Sequence, residues 1–145
     1  MKYFSCLCVL LLLSFKLFAN NPQGGQYKEL GDWQVHYIAF PSTFVQPKIA
    51  SAYGLKRSNY KAIVNVSVLS KKANFKALKA QLTGTAQNLL GNKQKLDFKE
   101  VIEGNAIYYL AQIDFNNEET FRFKVQVQQA NKTETLTFQQ KFYVD

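Results

Sequence analysis

The segment Phe121-Arg122-Phe123-Lys124-Val125-Gln126-Val127-Gln128 alternates apolar and polar side chains without an exception. Successive side chains of an extended chain point to opposite faces. One face therefore carries Phe121, Phe123, Val125 and Val127, and the other carries Arg122, Lys124, Gln126 and Gln128. A helix would scatter the same residues around its circumference, so the segment reads as a half-buried strand. The pattern recurs on both sides of it. Beyond the turn Ala130-Asn131-Lys132, the residues Leu136, Phe138, Phe142 and Val144 share one face. Before the turn Asn116-Asn117-Glu118-Glu119, the residues Ile107, Tyr109, Ala111, Ile113 and Phe115 do the same. These three segments lie close enough in sequence to be successive hairpins of an antiparallel meander.

Further upstream the period of two continues. Leu96 and Phe98 alternate with Asp97 and Lys99, and Leu78, Ala80 and Leu82 alternate with Lys79, Gln81 and Thr83. Ala62, Val64, Val66 and Val68 alternate with Ile63, Asn65 and Ser67. The first strand runs from Asp32 to Phe40, with Trp33, Val35, Tyr37 and Ala39 opposite Gln34 and His36. The joints hold turn formers such as Gly91-Asn92 and Glu103-Gly104-Asn105. Only Pro47 to Tyr53 reads as helix. Proline suits a first helical turn, and Gly54 suits the cap that ends it. About seven strands, each with one apolar face, must cover that face, and packing two antiparallel sheets together does so. The expected fold is all-β: an immunoglobulin-like antiparallel β-sandwich with one short helix after the first strand. A closed barrel is the alternative.

The chain has 145 residues, of which 47% are apolar and 19% charged, a balance that excludes a disordered chain. Met1-Lys2, the apolar run Tyr3 to Phe15 and the following Lys16-Leu17-Phe18-Ala19 have the three parts of a secretory signal. The apolar run is shorter than the about 20 residues that cross a bilayer. Cleavage after Ala19 is expected, although Leu17 is larger than the ideal residue at that position. A retained membrane anchor is the other reading. Residues 20–26 form a turn-rich leader, and residues 27–145 form the sandwich domain. After cleavage, 145 − 19 leaves 126 residues, enough for one domain that buries roughly two-thirds of its unfolded surface.

Both cysteines, Cys6 and Cys8, lie inside the expected signal, near its start rather than where a lipoprotein would carry one. The exported chain then has no disulfide and no thiolate ligand, and must be held by packing. The full chain carries 18 Lys+Arg and 10 Asp+Glu. Without Lys2 and Lys16 the balance is 16 − 10, or +6. That excess favours anionic surfaces, and export argues against nucleic acid as the partner. Lys71, Lys72, Lys76 and Lys79 form the densest positive group.

Several runs carry a resemblance. Trp33-Gln34-Val35-His36-Tyr37, Pro47…Tyr53-Gly54, Arg57-Ser58, Asn65-Val66-Ser67-Val68, Gly84…Asn88-Leu89 and Glu103-Gly104-Asn105-Ala106-Ile107-Tyr108-Tyr109 resemble, in order and spacing, the domain of unknown function 4426 family. Its members are small exported proteins of Gram-negative proteobacteria. The resemblance implies a periplasmic location and supplies no activity and no site residues.

Residue chemistry narrows the function classes. A single histidine, His36, and no thiol cannot assemble a nitrogen- or sulfur-rich metal site within one chain. His36 could serve as a base only beside an orienting group and a hydroxyl. Asp32, Asp97, Glu100, Glu103 and Asp114 supply no carboxylate pair singled out by spacing. Glycoside cleavage needs two carboxylates roughly 5 to 9.5 Å apart. Strand parity separates Glu100 from Glu103. The turn Asn116-Asn117-Glu118-Glu119 lacks the ligand pattern of a calcium loop, and no phosphate-cradling glycine loop is present. No cofactor is expected.

The candidate binding residues are His36, Tyr37, Arg57, Ser58, Asn65, Asn88, Glu103 and Tyr108, with Arg57 a possible partner for Glu103 and Asn88 a possible brace for a loop. The same residues can instead pin the helix onto the sheet. The expected function is a non-enzymatic binding or interaction module for a protein or envelope component, engaged through a strand edge or the helix side. A polysaccharide or small-ligand binder using Tyr53, Tyr60, Tyr108 and the basic face is the alternative. A hydrolase built on His36 is the third reading.

Overall fold

The computed structural model describes residues 26–144. The signal and residues 20–25 of the leader lie outside the described residues. Ten strands form two antiparallel sheets, so the sandwich expected from the alternating pattern is the fold. The strands are β1 (Gln26–Leu30), β2 (Trp33–Pro41), β3 (Lys61–Ser70), β4 (Lys76–Ala77), β5 (Gln81–Asn88), β6 (Lys93–Leu96), β7 (Lys99–Glu103), β8 (Ala106–Asp114), β9 (Glu119–Gln129) and β10 (Lys132–Phe142). One sheet has the order β1-β2-β3-β8-β7, with the short β4 pairing the far end of β3. The other has the order β10-β9-β5-β6. Among the described residues no helix is long and apolar enough to cross a membrane.

The core lies where the apolar faces meet. Trp33, Val35, Tyr37, Val64, Val66, Tyr109 and Ile113 enter from the larger sheet, and Leu96, Phe121, Phe123, Val125, Leu136 and Phe142 from the smaller. Strand parity alone selects these residues, as the sequence indicates. Phe138 of β10 stacks between Tyr37 and Phe123, with centroids at 4.5 and 4.6 Å. Offset stacks of this kind are worth about 0.5–1.5 kcal/mol beyond area burial.

Four features depart from the sequence reading. Gln26, assigned to the leader, opens β1, and the whole strand was overlooked because only Leu30 in Gln-Tyr-Lys-Glu-Leu joins the core. It is an edge strand held mainly by its ladder with β2. The helix therefore follows the second strand. The run containing Leu96 and Phe98 is two strands, β6 and β7, in different sheets. Both side chains still face the core while the chain turns the corner between them. The run Leu78 to Thr83 is likewise divided, with β5 beginning only at Gln81 and continuing to Asn88. Finally, β8 and β9 are not a hairpin: β8 pairs β3 and β7, whereas β9 pairs β5 and β10. Only β9–β10 is a hairpin of the expected meander. Parity is blind to this, because a strand's inward face looks the same from either layer.

The helix is placed as expected. It spans Pro47–Ala52, Tyr53 caps it, and Gly54 at φ +67° reverses the chain. Together with the 3-10 turn Ser42–Phe44 it belongs to a segment lying over the outer face of the larger sheet. Gln112 of β8 fixes that segment by exchanging two hydrogen bonds with the Lys56 backbone, at 2.9 and 2.8 Å. Lys99 of β7 donates to the Tyr53 carbonyl at 2.9 Å. Ile63 and Leu110, which parity points outward, are buried here along with Ala50. The sandwich thus has a small second core beneath the helix.

Gly84 shows how tightly the smaller sheet is drawn together. A Cβ there would lie 2.6 Å from the Lys124 carbonyl oxygen and 3.2 Å from the Val125 Cα, both backbone atoms of the paired strand. Backbone cannot swing aside as a side chain can. Gly84→Ala is expected to destabilise the protein by about 1–3 kcal/mol, read as a lower denaturation midpoint in urea with an unchanged slope. A midpoint equal to that of the wild type would show that the close approach is not a constraint.

Candidate functional site

The eight residues nominated from the sequence do not converge on one pocket. His36, Asn65 and Tyr108 share the outer face of the larger sheet, where His36 is paired with Ser67 and Asn65 with Ile38 and Leu110. Tyr37, next to His36, has the opposite parity and is buried in the core against Phe138. Asn88 belongs to the other sheet. Glu103 is exposed at the β7–β8 turn, paired with Ala106. The other end of β8, Asp114, pairs Lys61 close to Arg57 and Ser58. The length of β8, on the order of 25 Å, separates Arg57 from Glu103.

The expected Arg57–Glu103 pair therefore does not form. Arg57 Nε donates to the Val45 carbonyl at 2.7 Å and Nη2 to the Thr43 carbonyl at 3.2 Å. The guanidinium staples the two ends of the helical segment, because its several fixed donors match neighbouring carbonyls. Ser58 works beside it. Ser42, fully buried, donates its hydroxyl to the Ser58 carbonyl and accepts from the Ser58 amide, each at 2.9 Å. Asn88 braces a loop as expected: Oδ1 accepts from the Leu90 and Asn92 amides at 3.1 and 2.8 Å, and Nδ2 donates to Glu119 Oε2 at 3.1 Å. Asn65 Oδ1 is buried with no hydrogen-bond partner among the described residues.

His36 Nε2 lies 2.8 Å from Gln34 Oε1, and its ring packs on Tyr27 with centroids 5.2 Å apart. Its polar partner is the side-chain amide of Gln34, not a carboxylate. The tyrosine row expected for a glycan platform does not assemble either. Tyr60 is exposed, Tyr53 and Tyr108 are half-buried, and the three stand on separate elements. Tyr109, a neighbour of the nominated Tyr108, also joins a network. Its hydroxyl accepts from the Ala80 amide at 2.8 Å and donates to Glu100 Oε2 at 3.1 Å. Desolvation, chiefly, raises its pKa, with Glu100 adding to the rise.

The densest lysine group is largely neutralised. Lys71 faces Glu29 at 3.8 Å, Lys72 faces Asp32 at 3.2 Å, and Lys79 faces Glu100 at 3.7 Å. Asp32 also receives Lys132, and the hydrogen bond from Lys132 is the main reason its pKa is lowered.

A concave feature with an apolar lining lies elsewhere. β1 pairs β2 only as far as Gln26 opposite Tyr37. Among the described residues, nothing pairs Ile38–Pro41 on that side. A cleft of about 750 Å³ opens there, between Ile38–Pro41, the turn at Phe44–Val45 and the end of the chain at Gln140–Tyr143. Phe44 is 68% exposed and Tyr143 53% exposed at its rim. The Phe40 and Phe44 rings run nearly parallel at 6.5 Å, and Lys141 Nζ sits 5.4 Å from the Tyr143 ring. No single stretch of sequence announces this site. Its walls are contributed by segments about 100 residues apart, near the two ends of the domain.

Two outcomes follow from these contacts. Burial holds the His36 imidazole below its ordinary value of 6.5. The unfolded chain then binds the proton more readily, so the histidine's contribution to stability is complete above 6.5 and declines as pH falls toward the lower folded value. An NMR titration of the ring should report a midpoint below that of a free histidine, and His36→Gln should remove this part of the pH slope. A raised midpoint would reverse the assignment. Ser42→Ala leaves the half-buried Ser58 amide without its acceptor and is expected to cost about 1–3 kcal/mol, measured by equilibrium unfolding. A cost near zero would mean the helical segment is held without this exchange.

Comparison with known proteins places the chain. Residues 27–145 match the family described as domain of unknown function (DUF4426). A solved DUF4426 family protein from Pseudomonas aeruginosa PAO1 is 38% identical, with 85% of this chain and 98% of that chain covered, at a TM-score of 0.75. A copper-bound variant of FetP from uropathogenic Escherichia coli strain F11 shares the fold at 13% identity, covering 83% of this chain and 91% of that chain at a TM-score of 0.58. FetP as isolated after expression in the periplasm gives 12% identity, with 82% and 93% covered and the same TM-score of 0.58. No curated protein matches the sequence.

Proposed function

The chain belongs to the DUF4426 family, and from that premise we propose that it is a periplasmic, non-enzymatic binding module that seats an extended apolar segment of a protein or envelope component beside β2. The observation that carries this reading is the coincidence of two features: the edge of Ile38–Pro41, unpaired among the described residues, and the aromatic-rimmed cleft next to it. Unpaired strand backbone offers hydrogen bonds to a visiting strand, and alternate side chains of that strand would fall into the cleft. The paired Phe40 and Phe44 rings provide rigid apolar area at low entropic cost. Export is supported by the basic start and apolar run of the N-terminus.

The copper of the FetP variant does not carry over. Copper sites draw on imidazole and soft sulfur donors. This chain has one histidine, already engaged with Gln34, its cysteines lie at positions 6 and 8, and its one methionine is Met1. Among the described residues no group of three or more His, Cys, Asp or Glu side chains converges.

A photo-reactive amino acid placed at position 44 or 143 in cells tests the reading. The expected outcome is a discrete crosslinked partner from both positions, lost when Phe40 is changed to Ser. Phe44→Ser should abolish the crosslink from position 143 while changing stability by no more than about 0.5 kcal/mol, as for an exposed side chain. Crosslinks only to residues 20–25 of the chain itself would mean that the leader fills the cleft, and the proposal would be wrong.

A further inference from the structure

The hairpin joining β5 and β6 ends in two leucines that nothing covers. Leu89 is 68% exposed and Leu90 87% exposed. Single exposed leucines are common on folded proteins, but an adjacent pair on a projecting turn is a concentrated apolar point. The turn is also braced. Besides the two amides held by Asn88 Oδ1, the Asn88 amide donates to the Asn92 carbonyl at 3.0 Å, and the Gly91 amide donates to the Asn88 carbonyl at 3.1 Å. The leucines are therefore presented by a turn in which the Asn88, Leu90, Gly91 and Asn92 amides all have partners.

Directly behind the tip lies a cationic strip. Gln87 pairs Lys93 on one side and Arg122 on the other, and Thr85 in the next row pairs Lys124. Lys93, Arg122 and Lys124 are exposed, and no carboxylate among the described residues lies within ion-pair distance of them. Two carboxylates that flank this strip are engaged. Glu119 accepts from Asn88 and from the Asn116 amide at 3.1 Å each, and Asp97 faces Lys95 at 3.4 Å. The rest of this sheet's outer face along β5 and β9 is threonine and glutamine. It is a positively charged face, with a shallow depression lined by Lys93, Arg122 and Lys124 and an apolar point at one end.

We infer that this end of the smaller sheet docks on the phosphate-bearing surface of an anionic lipid bilayer, with Leu89 and Leu90 entering the headgroup boundary and Lys93, Arg122 and Lys124 facing lipid phosphates. Charge complementarity selects the occupant. A cationic sheet face matches an extended anionic plane, and the leucine pair needs the apolar depth that a soluble polyanion lacks. The surface is distinct from the aromatic cleft, so the two readings stand or fall separately.

Flotation of the protein, purified after expression of the full chain, with lipid vesicles provides the test. Vesicles of phosphatidylcholine and phosphatidylglycerol should carry the protein up, and vesicles of phosphatidylcholine alone should not. Added salt should weaken the association. Lys93→Gln combined with Arg122→Gln should lower the partition about 30-fold, at about fivefold for each cation lost near such a surface. Leu89→Ser combined with Leu90→Ser should lower it at least about tenfold. Both double variants should unfold at the wild-type temperature. Inorganic phosphate matched in concentration to the lipid phosphate should not displace the vesicles. Binding of the leucine variant equal to the wild type, displacement by inorganic phosphate, or a leucine-dependent dimer that leaves lipid binding unchanged would each overturn the inference.

Discussion

Phe138 of β10 stacks between Tyr37 of β2 and Phe123 of β9, and this contact closes the side of the sandwich where both sheets end. A chain whose only cysteines are Cys6 and Cys8 has no crosslink available to residues 26–144. The sheets must then be held by area burial and ring geometry. Aromatic rings suit this task because each covers a large area while losing few rotamers. Further rings continue the contact: Phe142 packs against Phe115 and Phe121 at 5.2 and 6.1 Å. The free end of β2 and the last turn of β10 are consequently fixed beside each other, and the aromatic cleft is the space left between them.

The segment from Ser42 to Tyr60 does a different job. It converts the outer face of the larger sheet from solvent-facing to buried over Ile63 and Leu110. The segment is short of regular structure, so its backbone groups need side-chain partners. Arg57, Ser42, Gln112 and Lys99 provide them. Of the nominated residues, Arg57 and Ser58 are spent in this way, and Asn88 braces a separate loop. The candidate interaction surfaces are instead built from apolar side chains left uncovered at Phe44, Tyr143, Leu89 and Leu90. Uncovered apolar area costs solubility and carries information about partners, whereas a satisfied polar group carries little.

Charge follows the same logic. Of the four lysines closest in sequence, Lys71, Lys72 and Lys79 face acidic side chains brought by other parts of the chain. The unneutralised positive strip is assembled from three residues of which two, Lys93 and Arg122, meet only through Gln87 between them. Density along the chain is therefore a poor guide to the field at the surface, which depends on what each cation faces across the sheet.

Local alternation determined the two-layer β architecture, the core-facing residues and the single capped helix, because strand parity and the Pro47 and Gly54 positions are properties of neighbouring residues. It could not assign strands to sheets, since an inward face is the same for either layer, and so β8–β9 was mistaken for a hairpin. It also missed β1, whose stability comes from pairing with β2 more than from its own pattern. Arg57 and Glu103 were separated only by the run of β8, and Tyr37 was drawn into the core by the parity that left His36 outside. Which polar groups are consumed as braces, and which apolar ones stay open, was decided by tertiary structure alone, because both depend on contacts between residues distant in sequence.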